Sequence, residues 1–310
     1  MTDKLELTNP RYKDGRVLTR EQLEFYDKNG FILIKNCVPK ADLKRFNKRF
    51  LEIAAGKNVH PQITVMKGEW KDKGNIEFVV EKLQDFNVDP VLFDYCKHPH
   101  VVDVVEDLIA GDNDKIMAMH TMLINKPPDT GSLKSRHPMH QDQLYFPFGP
   151  ENFICCGWTA MEAVTKQNGC LVVVPGSHKT TGKLLPHKYP EWEGGVNKAY
   201  YGVHDYDPSQ PRVHVEMEAG DTVFFHPWLL HGSGANRSQG SRRAISCHYA
   251  NGSRCHYFDV AGTPAEELAK EVVEMNKKRA KRMGENPDNV NFIDIWKHSG
   301  RCVNGVRANL

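Results

Sequence analysis

Along the first hundred residues the apolar positions recur mostly at helical spacing, broken by one short apolar run. Thr19 opens a first helix with Gln22 three residues on, a capping-box pattern, and Gly30 supplies a stop. Phe31-Ile32-Leu33-Ile34 then forms a short buried strand. Leu43, Phe46, Phe50 and Ile53 share one face of a second helix, and a third begins near Pro99 and carries Val101, Val104, Val105 and Leu108. These signals predict a mostly helical N-terminal part over residues 1–110.

The pattern changes near Lys115. Short β-rich runs follow one another at Ile116–Ile124, Phe153–Val164, Cys170–Pro175, Thr222–Phe225 and Ala244–Tyr249. Turn clusters divide them, among them Pro127-Pro128-Asp129, Pro175-Gly176-Ser177 and Ala219-Gly220-Asp221. No helical pattern alternates with these runs, so a parallel βαβ sheet is disfavoured. The expectation is a mainly β fold, an antiparallel double-stranded β-helix or jelly roll over residues 115–260, with helices at both ends. A last helix is read from Thr263, with Pro264 in its first turn, Glu266 completing a second capping box and Leu268, Val272 and Met275 as its apolar stripe. Residues 261–310 are the C-terminal helical part, and the whole of 1–310 reads as a single domain.

Charge narrows the functional classes. The 41 basic and 39 acidic residues leave a net +2, which gives no support to nucleic-acid binding or to a polybasic membrane surface. Lys277, Lys278, Arg279, Lys281 and Arg282 are taken as a solvated helix end, where cations favour the dipole. No apolar run approaches the roughly 20 residues of a membrane span. The charged N-terminus lacks the apolar stretch of a secretory signal, so a soluble intracellular protein is expected. The eight cysteines form no CxxC pair and are expected to be reduced, with Cys155, Cys156, Cys170 and Cys247 in the core. Gly176 through Lys183 imitates a phosphate loop but spaces its glycines one residue too far apart and has Leu184 where a Ser or Thr is required. Asn236-Arg237-Ser238 and Asn251-Gly252-Ser253 match the glycosylation pattern by chance.

Chemistry concentrates in Arg136-His137-Pro138-Met139-His140-Gln141-Asp142. The pair His140-x-Asp142 is weak alone, because a chain with 15 histidines acquires such pairs by chance. In a strand, however, positions i and i+2 face the same side and can converge on one ion. A third ligand must come from another strand of the barrel wall. His231, in Trp228-Leu229-Leu230-His231-Gly232-Ser233-Gly234, qualifies, and by spacing so do His226 and His120. Arg242 lies eleven residues beyond His231, at the entrance to the strand that includes Ala244–Tyr249. Two imidazoles and a carboxylate make a facial triad that leaves open positions for Fe(II) to take a bidentate co-substrate and O2. A buried guanidinium is a natural partner for the far carboxylate of a 2-oxo diacid.

These residues resemble the signature of the Fe(II)/2-oxoglutarate dioxygenases. The surrounding words, among them Met117 through Pro128, Tyr145-Phe146-Pro147-Phe148, Trp158-Thr159-Ala160-Met161-Glu162, Asn168 through Val173, Trp192 through Lys198 and Gly220 through Gly234, are similar to the phytanoyl-CoA hydroxylase branch of that superfamily. The likeness runs from about Leu18 to the C-terminus. It implies His140, Asp142 and His231 as catalytic iron ligands and thereby selects His231 over His226 and His120. It implies Arg242 and Ser233 as holders of the distal carboxylate of 2-oxoglutarate, with Trp158, Met122 and Lys82 lining the same site. His137, His178 and His248 are then structural, hydrogen-bonded residues.

The implied reaction is 2-hydroxylation of a 3-methyl-branched fatty acyl-CoA, phytanoyl-CoA, within fatty-acid α-oxidation, coupled to conversion of 2-oxoglutarate and O2 to succinate and CO2. Ascorbate is the implied reductant, and no residue is assigned to CoA. The alternatives are a hydroxylase of the same superfamily acting on another small molecule, and a non-catalytic metal-binding jelly roll. The resemblance implies a peroxisomal location, failing which the protein is cytoplasmic. Arg16-Val17 begins a pattern like the N-terminal peroxisomal signal, but Leu23 stands where His or Gln is required, and Ala308-Asn309-Leu310 is only loosely like Ser-Lys-Leu.

Overall fold

The computed structural model describes residues 17–304 apart from 71–73, 112, 193–199, 205 and 208. Arg16, most of the Trp192–Lys198 segment and the Ala308-Asn309-Leu310 terminus therefore lie outside the described residues.

The N-terminal elements form for local reasons. Helix α1, Arg20–Asn29, has the full capping box: Thr19 Oγ1 accepts from the Gln22 amide, and the Gln22 side chain accepts from the Thr19 amide at 2.8 Å. It ends at Gly30 in the left-handed region, φ 78°, and strand β1, Phe31–Ile34, leaves directly from that turn. Helix α2, Lys40–Ala54, buries Leu43, Phe46, Phe50 and Ile53 as its spacing predicts. Two strands then follow that the apolar pattern did not predict, β2, Thr64–Lys67, and β3, Val80–Gln84, so the N-terminal part is less helical than expected. Only Val80 and Leu83 of β3 are fully buried, and Glu81, Lys82 and Gln84 erase its apolar signal. Helix α3, Pro99–Ile109, starts with proline at its first position.

The remaining strands of the two main sheets are β4, Ile116–Lys126; β5, His137–His140; β6, Ile154–Ala160; β7, Leu171–Val173; β8, Val213–Val215; β9, Thr222–Phe225; β10, His231–Ser233; β11, Arg242–Asn251; and β12, Arg301–Cys302. The larger sheet runs β1-β9-β6-β11-β4-β3-β2, with β12 also on β4, and the smaller runs β8-β7-β10-β5. All these pairings are antiparallel, which is the jelly roll expected.

The larger sheet is buried on both faces. Cys155, Phe224, Ile245, Cys247 and Tyr249 pack outward against Phe46, Phe50, Val105 and Leu108 of the helical layer. Cys156, Trp158, Val223, Phe225 and Ala244 pack inward, with Leu171, Val173 and Leu229. Tyr95 ties the layers together, its hydroxyl lying 3.1 Å from the Gly157 carbonyl and 2.9 Å from Thr159 Oγ1.

The last long helix, α4, Glu266–Met283, begins three residues later than its sequence signal. Thr263 Oγ1 donates to the Val260 carbonyl at 2.6 Å and so closes the preceding turn, while Ala265 at the N-cap offers no side-chain oxygen. The predicted stripe is also partly wrong: Leu268 is buried, but Met275 is 50% exposed. Helix α5, Phe292–Ser299, completes the C-terminal part. All eight cysteines are unpaired, and Asn236 and Asn251 are fully buried, so neither can accept a glycan. Among the described residues, no helix is long and apolar enough to cross a membrane.

Candidate metal and co-substrate site

Pairing of β5 with β10 sets His140 directly opposite His231, with ring centroids 4.2 Å apart. Strand β5 ends at His140, and Asp142 opens a one-turn 3-10 helix, Asp142–Tyr145, so the two do not share a regular strand as expected. Alternation survives because Gln141 between them keeps extended backbone, φ −115°, ψ 127°. Its side chain pins the bend, donating to the Lys183 and Trp228 carbonyls and accepting from the Leu185 amide.

The hydrogen bonds behind the imidazoles decide which nitrogens face inward. His140 Nδ1 lies 2.9 Å from the Pro138 carbonyl, and His231 Nδ1 lies 2.9 Å from the Leu229 carbonyl. A carbonyl only accepts, so both Nδ1 atoms carry the proton and both Nε2 lone pairs are left for a ligand. The Nε2 atoms sit 3.2 and 3.6 Å from Asp142 Oδ1. One ligating atom from each residue falls within 4.8 Å of the others, and all three residues are buried. Burial, and next the neighbouring His140 imidazole, pull His231 down to about 4, so it is neutral and able to ligate at neutral pH. Burial opposes ionisation of Asp142, but the surrounding His231, His248 and His140 imidazoles outweigh it and hold the carboxyl well below its usual range. Buried nitrogen and oxygen donors with this charge fit a divalent transition metal.

A second cluster lies where β4 and β11 pair. Arg242 is 2% exposed, and only its Nη2 is satisfied, donating to the Gly169 carbonyl at 3.0 Å. Among the described residues its Nε and Nη1 have no partner, and its Cζ lies 5.2 Å from the Trp158 ring centroid. Burial lowers the guanidinium to about 10, still charged at neutral pH. Unpaired donors on a buried cation fit an incoming carboxylate. Ser233 accepts at Oγ from Lys126 Nζ, 2.9 Å away. Met122 stands opposite Ser246, which in turn is opposite Trp158. Lys82 stands opposite Ile124, its Nζ 4.8 Å from the Tyr200 ring centroid, and its charge reaches His120 and His137.

The competing histidines are elsewhere occupied. His226 Nε2 lies 3.2 Å from Asn152 Oδ1, and its Nδ1 accepts from the Trp228 amide. His120 Nε2 is 2.9 Å from Gln84 Nε2, with its ring stacked on His248. His178 is held by the Asp27 carbonyl, while the half-buried His137 is stacked on His140 and its Nε2 has no partner among the described residues. His248 is hydrogen-bonded, as expected, and its partner is Asp142, with Nε2 2.7 Å from Oδ2. Sequence reasoning did not foresee that partner, and it missed Lys126. Strand parity was the available signal: His248 shares the face of Arg242, Ala244 and Ser246, and Lys126 that of Met122 and Ile124.

Comparison with known families decides where this architecture belongs. Residues 26–244 match the model of the phytanoyl-CoA dioxygenase family. The chain belongs to that family. A relative in Caenorhabditis elegans, named probable phytanoyl-CoA dioxygenase, is 59% identical over 96% of this chain and 97% of its own length. The human protein named peroxisomal phytanoyl-CoA dioxygenase is 51% identical over 96% of this chain and 86% of its own length. Among solved structures, the epimerase SnoN, determined with Fe3+, alpha-ketoglutarate and nogalamycin RO, aligns with TM-score 0.59 and 18% identity over 78% of this chain and 86% of its own. EctD from S. alaskensis aligns with TM-score 0.59 and 16% identity over 76% and 78%. At that identity these two establish the fold this phytanoyl-CoA dioxygenase family member shares with them.

Proposed function

We propose that this protein hydroxylates carbon 2 of a 3-methyl-branched fatty acyl-CoA, phytanoyl-CoA, with 2-oxoglutarate and O2 as co-substrates and succinate and CO2 as co-products. The observation that carries this reading is the pairing of two half-sites, the buried His140–Asp142–His231 group and the Arg242 guanidinium with unsatisfied donors. Membership of the phytanoyl-CoA dioxygenase family supplies the substrate class.

In this reading His140 Nε2, Asp142 and His231 Nε2 hold Fe(II). Arg242 and Ser233 receive the distal carboxylate of 2-oxoglutarate, with Trp158, Met122 and Lys82 along its walls. When bound, the metal and co-substrate supply the oxidising power, and ascorbate maintains the metal in its reduced state. The chain contributes geometry. Backbone carbonyls of Pro138 and Leu229 aim the imidazoles, His248 holds one oxygen of Asp142, and the three ligating side chains are buried away from bulk water. The vertebrate relatives are named peroxisomal, which supports a peroxisomal location for this protein and a role in fatty-acid α-oxidation.

The test is succinate formation by anaerobically loaded Fe(II) enzyme given 2-oxoglutarate and O2, with and without phytanoyl-CoA, beside Asp142→Ala. Strong stimulation with matching 2-hydroxyphytanoyl-CoA is the expected result. Slow succinate formation that phytanoyl-CoA leaves unchanged points to a hydroxylase of another small molecule. Wild type indistinguishable from Asp142→Ala points to a non-catalytic metal-binding protein.

A further inference from the structure

Lys126 is the last residue of β4, 5% exposed, and it stands directly opposite Arg242 of β11. Like charges facing each other across paired strands repel, and each buried cation carries a desolvation cost. Neither forms an ion pair among the described residues. Lys126 Nζ donates to Ser233 Oγ at 2.9 Å and to the Gly234 carbonyl at 2.6 Å, both neutral oxygens. Among the described residues Arg242 hydrogen-bonds only to the Gly169 carbonyl. The cluster is tightly set: a Cβ on Gly169 would lie 2.6 Å from the Gly234 oxygen and 3.2 Å from Lys126 Cδ. Two opposed, buried cations with only neutral partners make a site that is incomplete without an anion.

We propose that Lys126 is a second cationic anchor of the 2-oxoglutarate site, orienting the Ser233 hydroxyl and making the site select a dicarboxylic over a monocarboxylic 2-oxo acid. The donor logic is direct. Because Ser233 Oγ accepts from the ammonium, its own proton is left to donate, so Ser233 presents a donor to an incoming carboxylate. The distal carboxylate meets Arg242, that hydroxyl and the field of Lys126 together, and a methyl group in its place leaves both charges uncompensated. Burial, and then the charge of Arg242, hold the lysine well below its ordinary pKa, the direction an arriving carboxylate reverses. The inference rests on the co-substrate reading above.

The experiment measures binding rather than turnover. Wild type, Lys126→Met and Lys126→Gln are loaded with Mn(II), and 2-oxoglutarate and 2-oxopentanoate are titrated by calorimetry, with thermal unfolding of the ligand-free proteins alongside. In Lys126→Met, 2-oxoglutarate affinity is expected to fall tenfold or more, on the order expected for a lost charge-assisted contact, while weak 2-oxopentanoate binding stays as it is. Ligand-free Lys126→Met is expected to unfold at or above the wild-type temperature, because it removes a buried unpaired charge; a merely structural lysine would move stability the other way. Lys126→Gln can still hydrogen-bond Ser233 without the charge, and it also settles the matter should the Met variant not fold. Wild-type 2-oxoglutarate affinity in Lys126→Gln overturns the cationic role. A wild-type protein that binds Mn(II) but not 2-oxoglutarate overturns the co-substrate reading itself, and this inference with it.

Discussion

His248 Nε2 lies 2.7 Å from Asp142 Oδ2, while the other oxygen of the same carboxylate faces the Nε2 atoms of His140 and His231 at 3.2 and 3.6 Å. The carboxylate is thereby divided, one oxygen held by the barrel wall and one directed between the imidazoles. His248 stands on β11 in the row that begins at Arg242, so a single strand supports both halves of the site. Replacing His248 with Phe keeps an aromatic ring beside Phe146 and His120 but removes the hydrogen bond. Metal affinity is expected to drop about 10- to 100-fold, as for other partners that orient metal ligands, with His248→Gln recovering part of the loss. Titration with Mn(II), followed by quenching of tryptophan fluorescence or by calorimetry, measures this, and unchanged affinity would refute it.

Arg242 offers two unsatisfied nitrogens in a fixed plane beside Trp158, a geometry that a lysine ammonium cannot reproduce. Arg242→Lys is expected to raise the KM for 2-oxoglutarate by about 10- to 100-fold, the effect of one or two charge-assisted hydrogen bonds, with a much smaller change in kcat. Steady-state succinate assays over a wide range of 2-oxoglutarate concentration separate the two. A loss confined to kcat would place Arg242 outside the carboxylate contact.

Gly169 ties this cluster together, since its carbonyl accepts from Arg242 and its φ of 83° lies in the left-handed region. A Cβ there would stand 2.6 Å from the Gly234 oxygen, which is backbone and cannot step aside cheaply. Gly169→Ala is expected to cost about 1–3 kcal/mol of stability and to weaken 2-oxoglutarate binding at the same time. Urea unfolding and calorimetry report the two effects separately.

Buried and half-buried histidines set the response to acid. Burial, with the charge of His248, lowers His120 to about 3; burial lowers His187 to about 3 and His226 well below its usual value. Each is neutral in the folded state and protonates near 6.5 once unfolded, so the unfolded chain binds more protons between pH 6.5 and about 3. Stability is complete above pH 6.5 and falls as the pH drops through that window, by up to about 1.4 kcal/mol per pH unit for each such histidine. Denaturant unfolding of the metal-free protein at pH 7, 6 and 5 should show this slope, reduced by close to one proton in His120→Phe. A flat profile over that range would contradict the burial of these neutral rings.

Local chemistry made part of this protein legible without coordinates. The Thr19–Gln22 box and the Gly30 stop are written in a few adjacent residues, and α2 announces itself because one face alone is apolar. Strand β8 was not read at all, but five of the jelly-roll strands, β4, β6, β7, β9 and β11, were visible as apolar runs between turns. Their faces were not, because strands such as β6 are buried on both sides and carry no alternation to read. Strands β2 and β3 went unseen because β3 has only two fully buried residues, Val80 and Leu83, set three positions apart among Glu81, Lys82 and Gln84, so it shows no period-2 apolar signal.

The sequence by itself determined which residue types were available for chemistry. His140, Asp142, His231 and Arg242 stood out by kind and spacing, and family resemblance ranked His231 above His226 and His120. Only the tertiary structure decided which of them meet. It set His140 against His231 through the β5–β10 register, sent His226 to Asn152, bent the chain after β5 through the bonds of Gln141, and brought in His248 and Lys126 from β11 and β4. The physical reason is that a cap or an amphipathic stripe is an interaction between near neighbours in the chain, whereas a site is assembled by strand pairing across about 100 residues, where registry and burial, not residue type, choose the partners.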